Sequence, residues 1–579
     1  MHSRRLVRHF LSQFVENDWS TDVDTHQTLA LAAAGVVTIP LFVTVFMAMR
    51  YLTRLLPAAG WTGTTGLEDQ ITFCVTSMLV AAAVAALKWD ALALSHRDAM
   101  ILGVLPVPHR DLVRAKVLSL VMFVALFVIA LNLLPALLHP ALMVATLPLH
   151  LIMVPVLMAA QGLSTTMAAA FGFGCVVGLR EFLHLALGPS AFRRTSDLIR
   201  SVVLLLLLVL LAVVPIRLSG RADWLLEPGQ PPILLRPIGW FVATNASIAG
   251  RVLQRVPQRP LPPRLAAEEY RLRTRYERNL PKWTAMAAQG AGVLLCLLGV
   301  SVTMYVWNAR RLHILPDGRA GSRALRLSRL FEGAVRALIK PPPMRAGFLL
   351  LFRALLGSGL HRLYLIVAMA TGLGLFVAMA PFPVDGAAPP LRTLHLAAQT
   401  LGLTAMITAF RAAIRTAADE RAGWLFAIAE TGHLALFRNG VRLAAIVATT
   451  IIIALLAPLH AAAWGAPVAT AHAANGIALG WLLVETVSAS VNTPLIATIP
   501  PNDGLNTVGT VFLGTMVIVV FVLARIERAA LGGQFSAIAF TTTILFLAAC
   551  VRHASEREHR VSSMAEQTSQ VPVDDKHTS

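Results

Sequence analysis

The chain has 579 residues, 56% of them hydrophobic and 14% charged, with a mean hydropathy of +0.68 and a formal net charge of +19 at pH 7. A soluble chain of this length needs roughly a quarter of its residues charged to cover its surface, so the composition excludes a soluble globular protein and makes the bilayer the solvent. The positive charge is spread over segments between apolar runs, which suits anionic lipid headgroups as partner and gives no reason to invoke nucleic acid.

In chain order, Met1 to Glu16 (MHSRRLVRHFLSQFVE) mixes Arg4, Arg5, Arg8 and His9 with apolar residues. That is the pattern of an interfacial amphipathic helix, with a solvated basic tail as the other reading; a cleavable signal peptide would carry its charges ahead of one apolar run. Residues 1–27 are assigned to this element. Apolar blocks of about twenty residues follow, the length a helix needs at 1.5 Å per residue to cross roughly 30 Å of hydrocarbon. Windows of about nineteen residues place spans near 28–49, 70–88, 117–137, 145–178, 200–217 and 283–307, then near 362–380, 392–413, 441–459, 473–493, 508–525 and 534–551. Stretches such as Ser201 to Val214 (SVVLLLLLVLLAVV) do not alternate, which excludes a β-barrel. The fourth segment is too long for one straight crossing and reads as tilted, broken or a hairpin, with Gly162, Gly172 and Gly174 available for close packing or kinks.

The expectation is an all-α, polytopic integral membrane protein of about 12 transmembrane helices in two parallel six-helix halves, residues 28–307 and 362–551. An extracytoplasmic insertion at about 218–282 lies in the first half, a basic cytoplasmic linker at 308–361 joins the halves, and 552–579 is a disordered cytoplasmic tail. With the N-terminus inside, Arg97 to Lys116, Arg180 to Arg200, Arg310 to Arg362 and Arg411 to Arg442 fall on the cytoplasmic side of a bacterial inner membrane, as the retention of Lys and Arg requires. The segment Arg221 to Lys282 falls outside although it carries Arg271, Arg273, Arg275 and Arg278, an exemption that long loops enjoy; a second crossing within 145–178 would move it inside. Its Trp224, Pro237, Trp240 and Phe241 read as interfacial anchoring.

Chemistry-bearing motifs are few. A phosphate-binding loop needs Lys followed by Ser or Thr, and Lys88, Lys116, Lys282, Lys340 and Lys576 are followed by Trp, Val, Trp, Pro and His. No HExxH or GxSxG occurs, the histidines lack ligand spacing, and Cys74, Cys175, Cys296 and Cys550 stand alone in or beside apolar segments, so no metal and no enzyme is read from motifs. Glu485 lies at membrane depth, where an ionisable side chain marks either a functional site or a bond across helices to groups such as Gln399 or Asn492. The better constellation is a pair of charged loops with apolar centres, Ser95 to Lys116 and Arg415 to Arg442, each between the second and third span of its half. Charged ends orient a partner and an apolar face gives contact area, although an ordinary loop lying on headgroups has the same composition.

At these residues the chain resembles permease subunits of type-2 ABC transporters. RDAMILGVLPVPHRDLVRAK, Arg97 to Lys116, is similar to the segment where an Arg-Asp pair leads into a Leu-Pro-rich turn and a basic helix. DERAGWLFAIAE, Asp419 to Glu430, looks like the later acidic-Arg, Trp-containing helix of that family, with Trp424 and Glu430 as the matching positions. The resemblance implies two six-span halves, an interfacial helix before each first span, a coupling helix between spans two and three, and an insertion before span six. It also implies that Arg97, Asp98, Arg110, Asp111, Arg114, Glu420, Arg421, Trp424 and Glu430 contact separate ATPase subunits, which bind ATP-Mg while this chain holds no cofactor. Export by alternating access follows from the same resemblance. The chain departs from the pattern in its second half, where only about eight residues around Arg525 to Leu531 precede the last span and leave no room for an external subdomain. A membrane-bound enzyme acting on a lipid-linked substrate through the 218–282 loop, and an ion-coupled secondary transporter using Glu485, are the alternatives from other classes.

Overall fold

The structure, a computed structural model, describes residues 2–15, 45, 65–92, 108–146, 151–218, 222–226, 233–255, 263–311, 323–357, 359–379, 393–415, 434–489 and 507–569. Among them every regular element is helical, and eight helical segments are long and apolar enough to cross a membrane, consistent with a multi-pass membrane protein. The chain divides into two compact units, Met1–Ala320 and Gly321–Ser579.

Unit 1 is built on α1 (His2–Val15), α2 (Thr65–Leu87), α3 (His109–Thr146), α4 (Val154–Leu218), the single turn α5 (Asp223–Leu226), α6 (Arg236–Arg255) and α7 (Pro263–Arg311). Its candidate spans are Gly66–Leu87, Arg110–Val144, Leu151–Phe192, Arg194–Pro215 and Arg273–Asn308. The outer face of α3 leaves Leu118, Val121, Leu126, Ile129 and Leu133 more than half exposed, a stripe that water would not tolerate and lipid requires. The central helix α2 does the opposite. It buries Glu68, Asp69, Gln70, Thr72, Thr76 and Ser77, and cross-helix hydrogen bonds serve two of them: Gln70 Nε2 donates to Ser164 Oγ at 2.6 Å, and Ser77 Oγ to Asn132 Oδ1.

Helix α4 contains the one non-helical residue among Val154–Leu218, Gly188 at φ +72°, followed by Pro189. Glycine takes a positive φ without a Cβ penalty, and proline suits the first turn of the helix that resumes. The chain reverses there. Arg180 and Arg200 would stand about 30 Å apart along a straight helix, yet Arg180 Nε donates to the Trp89 carbonyl (2.9 Å) and Arg200 Nη2 to the Leu87 carbonyl (2.7 Å). The helix is unbroken from Val154 to Leu187, so the fourth segment expected at 145–178 contains no hairpin over residues 154–178; a turn lies later, at Gly188. The five spans then alternate in direction, as neighbours Asp69–His139, Gly172–Met78 and Glu181–Asn308 show.

The stretch read as an extracytoplasmic insertion holds α6, which runs antiparallel to α7: Gly250 meets Tyr276 and Leu280 while Gly290 meets Trp240. Trp240 and Phe241 pack on Phe171 of α4, one residue before the glycine that abuts Met78 near the middle of α2. These aromatic residues therefore reach the level of the middle of the α2 span and serve as core, with Phe241 fully buried beside Ile71 and Trp283. The interfacial anchoring expected from composition is not where this pair sits.

Unit 2 comprises α8 (Arg323–Leu338), α9 (Pro342–Gly357), α10 (Gly359–Met379), α11 (Thr393–Arg415), α12 (Leu434–Trp464), α13 (Ala466–Ala489), α14 (Thr507–Ala530) and α15 (Gln534–Ser569). Three segments qualify as candidate spans, Ala435–Trp464, Ala466–Ser488 and Gln534–Arg557. The spans expected near 362–380, 392–413 and 508–525 are helical, as α10, α11 and α14, but do not reach that standard among the described residues, and the one near 28–49 lies almost wholly outside them. Helices α12 and α13 form a hairpin at Gly465 (φ +83°), and Leu531–Gly533 turns α14 directly into α15, leaving no insertion there. Helix α15 continues past residue 551 to Ser569, where a disordered tail is expected; no Gly or Pro interrupts that stretch, and Arg552 and Glu556 pair one turn apart at 3.0 Å.

Candidate functional site

The foot of α3 is where the described part of the first charged loop sits. The Pro108 carbonyl accepts the Asp111 N–H at 2.9 Å and starts the helix, and an acidic residue in the first turn suits the helix dipole. Arg110 and Arg114 are exposed beside the half-exposed Asp111, and the 3.9 Å Arg114–Asp111 contact is a solvated pair worth little by itself. One turn further, Lys116 is fully buried because α1 closes over it: its Nζ lies 4.8 Å and 4.9 Å from the ring centres of Phe10 and Phe14 and donates to Gln13 Oε1 at 2.9 Å. Two aromatic faces and an amide oxygen replace the water an ammonium loses on burial. The amphipathic N-terminal helix is thus seated on the helix that carries Arg110 and Arg114.

The same end of unit 1 is closed by a second polar cluster. Arg180 pairs with Glu181, Asn308 Nδ2 of α7 donates to Glu181 Oε2 (2.7 Å) and to its carbonyl (3.0 Å), and Trp89 Nε1 donates to Ser196 Oγ (2.9 Å). Arg200 binds Asp90 at 2.6 Å. Two guanidinium groups thus satisfy the Leu87 and Trp89 carbonyls at the C-terminal end of α2, where cations are favoured. Arg97, Asp98, Glu420, Arg421, Trp424 and Glu430 lie outside the described residues, so of the expected partner contacts only Arg110, Asp111 and Arg114 are brought together here.

In unit 2, Glu485 is buried and its charge is matched. Arg442 Nη1 of α12 lies 3.8 Å from Glu485 Oε2, Trp481 Nε1 donates to Oε1 at 3.2 Å, and Arg442 Nη2 donates to Ser555 Oγ at 3.4 Å. Gln399, expected as a partner, instead donates to the His472 carbonyl at 3.2 Å, and Asn492 lies outside the described residues.

A cluster that sequence reasoning passed over lies at the other end of the same helices. His472 Nδ1 is 2.7 Å from Glu527 Oε1, Asn475 Nδ2 donates to that oxygen at 3.0 Å, and Thr541 donates to Asn475 Oδ1. His460 meets His472 edge-on at 4.8 Å and stacks on Trp464 at 5.3 Å. The signal was present in the spacing: His460 and His472 are equidistant from Ala466, so a tight α12–α13 hairpin must bring them together. Among the described residues no three His, Cys, Asp or Glu side chains are placed to hold a metal ion.

Comparison of the chain with models of known protein families, with curated proteins and with solved structures finds no match.

Proposed function

We propose that this chain is the membrane-spanning permease subunit of a type-2 ABC transporter, an exporter working by alternating access and driven by separate ATPase subunits that bind ATP-Mg. The observation that carries the reading is the construction of the α3 foot. Arg110, Asp111 and Arg114 present an exposed mixed-charge surface on the first turn of a helix that runs without interruption into an apolar span. At that end α1 is locked to α3 through Lys116, and α2, α4 and α7 are tied together through Arg180, Glu181 and Asn308. A push delivered there moves α1 and α3 as one lever against a clamped neighbour, which is what a receiver of force needs.

In this reading the α3 foot faces the bacterial cytoplasm, the N- and C-termini are cytoplasmic, and twelve spans form two halves. The basic foot, with Arg180, Arg194 and Arg200 beside it, agrees with the retention of positive charge on the inner side. By the resemblance, Arg97, Asp98, Glu420, Arg421, Trp424 and Glu430, which lie outside the described residues, are further partner contacts. The pairing of Glu485 with Arg442 gives the ion-coupled alternative no support, since the buried carboxylate already has its counter-charge.

The test is co-purification from the native membrane followed by an ATPase assay. Wild type is expected to bring down an ATPase, and Arg97→Glu, Arg421→Glu and the double variant Arg110→Glu/Arg114→Glu are expected to lose at least about tenfold of it, as charge reversal at an interface does. Equal recovery by wild type and all three variants would remove the coupling-surface assignment.

A further inference from the structure

Each unit holds a buried Arg–Glu pair and, at the other end of its helices, a buried carboxylate–imidazole pair. Unit 1 has the Arg180–Glu181 pair at the foot end and Asp69 with His139 (Nε2–Oδ2 3.9 Å) at the far end of α2. Unit 2 has Arg442–Glu485 at one end of α12, α13 and α15, and His472–Glu527 at the other. The Arg–Glu pairs combine a carboxylate with a permanent cation. The far-end pairs combine it with imidazole, the side chain whose charge changes between pH 5 and 8.

The surroundings of Glu527 make the distinction concrete. Its carboxylate and the His472 ring are both buried, and among the described residues no Lys or Arg forms an ion pair with it. The helices packed around it offer His395 and Gln399 from α11, His460 from α12, Asn475 from α13 and Thr541 from α15, which has no Asp, Glu, His, Lys or Arg before Arg552. On α14 itself Arg525 and Arg528 point outward, Arg528 towards Thr393 at 3.4 Å. With neutral imidazole the site therefore holds one uncompensated negative charge in an apolar setting, which is costly. His472 Nε2 is buried without a hydrogen-bond partner, and Asn475 turns its amide N–H₂ towards the carboxylate while its oxygen is taken by Thr541. Donors from His472 and Asn475 face Glu527, and among the described residues no three His, Cys, Asp or Glu side chains are grouped to hold a metal ion.

We propose that His472 and Glu527 form a proton-binding site that tightens this end of unit 2. One proton from water forms an N–H bond at the Nε2 lone pair of His472, and the net charge of the pair goes from −1 to zero. The Nδ1–Oε1 bond between α13 and α14 then joins opposite charges in place of a neutral donor and a carboxylate, which adds charge attraction to it. Proton binding clamps α13 to α14 and steadies the Gly465 and Leu531–Gly533 turns. Nothing in the proposal depends on the ATP-driven reading.

The experiment is hydrogen–deuterium exchange on the full chain in lipid nanodiscs, at pH 5.5 and 8 with intrinsic rates corrected, reading peptides that cover 460–475 and 522–541. Wild type is expected to show about tenfold slower exchange at pH 5.5. The difference should vanish in His472→Gln and Glu527→Gln and persist in His553→Gln, an exposed histidine on α15. A wild type with no pH-linked difference overturns the proposal whether or not the variants fold, as does a difference that survives both substitutions. Equal protection by sodium ions at pH 8 overturns it in favour of a metal cation.

Discussion

Arg442→Met is expected to destabilise unit 2 by about 3–5 kcal/mol, because it leaves the Glu485 carboxylate buried without its guanidinium. Among the described residues Glu485 has one other polar partner, the Trp481 indole N–H at 3.2 Å, and a single neutral donor does not balance a charge in an apolar environment. Glu485→Met strands Arg442 in the same way, with Ser555 at 3.4 Å left to receive it among the described residues. The double variant Arg442→Met/Glu485→Met is the informative one. At 3.8 Å the pair is held by charge more than by hydrogen bonding, so replacing both members by apolar side chains is expected to recover most of the loss. Thermal unfolding of the four proteins in detergent, followed by size exclusion, gives the coupling energy. Additive losses in the double variant would mean that the two residues serve separate purposes.

Gly440→Ala and Gly347→Ala are expected to prevent unit 2 from assembling. Helices α9 and α12 cross backbone to backbone here: a Cβ on Gly440 would lie 1.9 Å from the Met344 carbonyl oxygen, and one on Gly347 2.2 Å from that of Phe437. Neither obstacle is a flexible side chain, so the helices must move apart and lose contacts around Phe348 and Val441 in the core. The cost should exceed the roughly 1–3 kcal/mol of ordinary overpacking. Gly333→Ala in α8 meets nothing within 4 Å and is expected to hold or raise stability by up to about 1 kcal/mol through helix propensity. Monodisperse, folded Gly440→Ala protein would show that the crossing tolerates separation.

The sequence made the apolar spans legible because a lipid-crossing helix announces itself by hydropathy alone. The expected segments near 70–88, 117–137, 145–178, 200–217, 283–307, 441–459, 473–493 and 534–551 each overlap one of the eight candidate spans. Helix α6 was not legible, because a helix that enters a bundle from one side buries aromatic residues and still keeps polar ones such as Asn245 and Arg251, so its composition resembles an interfacial loop. Glu485 stood out by depth, whereas its partner Arg442, 43 residues earlier, read as a loop cation until the α12–α13 hairpin joined them. The His472–Glu527 pair stayed hidden for a related reason: spacing along one helix cannot reveal a pair made across two.

The most direct test of the permease reading is to place a photo-crosslinking amino acid at Arg114, on the exposed foot of α3, and at Tyr270, 65% exposed at the opposite end of unit 1, and to identify what each captures in living cells. Capture at Arg114 of a polypeptide with a phosphate-binding loop, with none at Tyr270, is the predicted result. Capture of no ATPase at Arg114, or of the same ATPase from both positions, would contradict it.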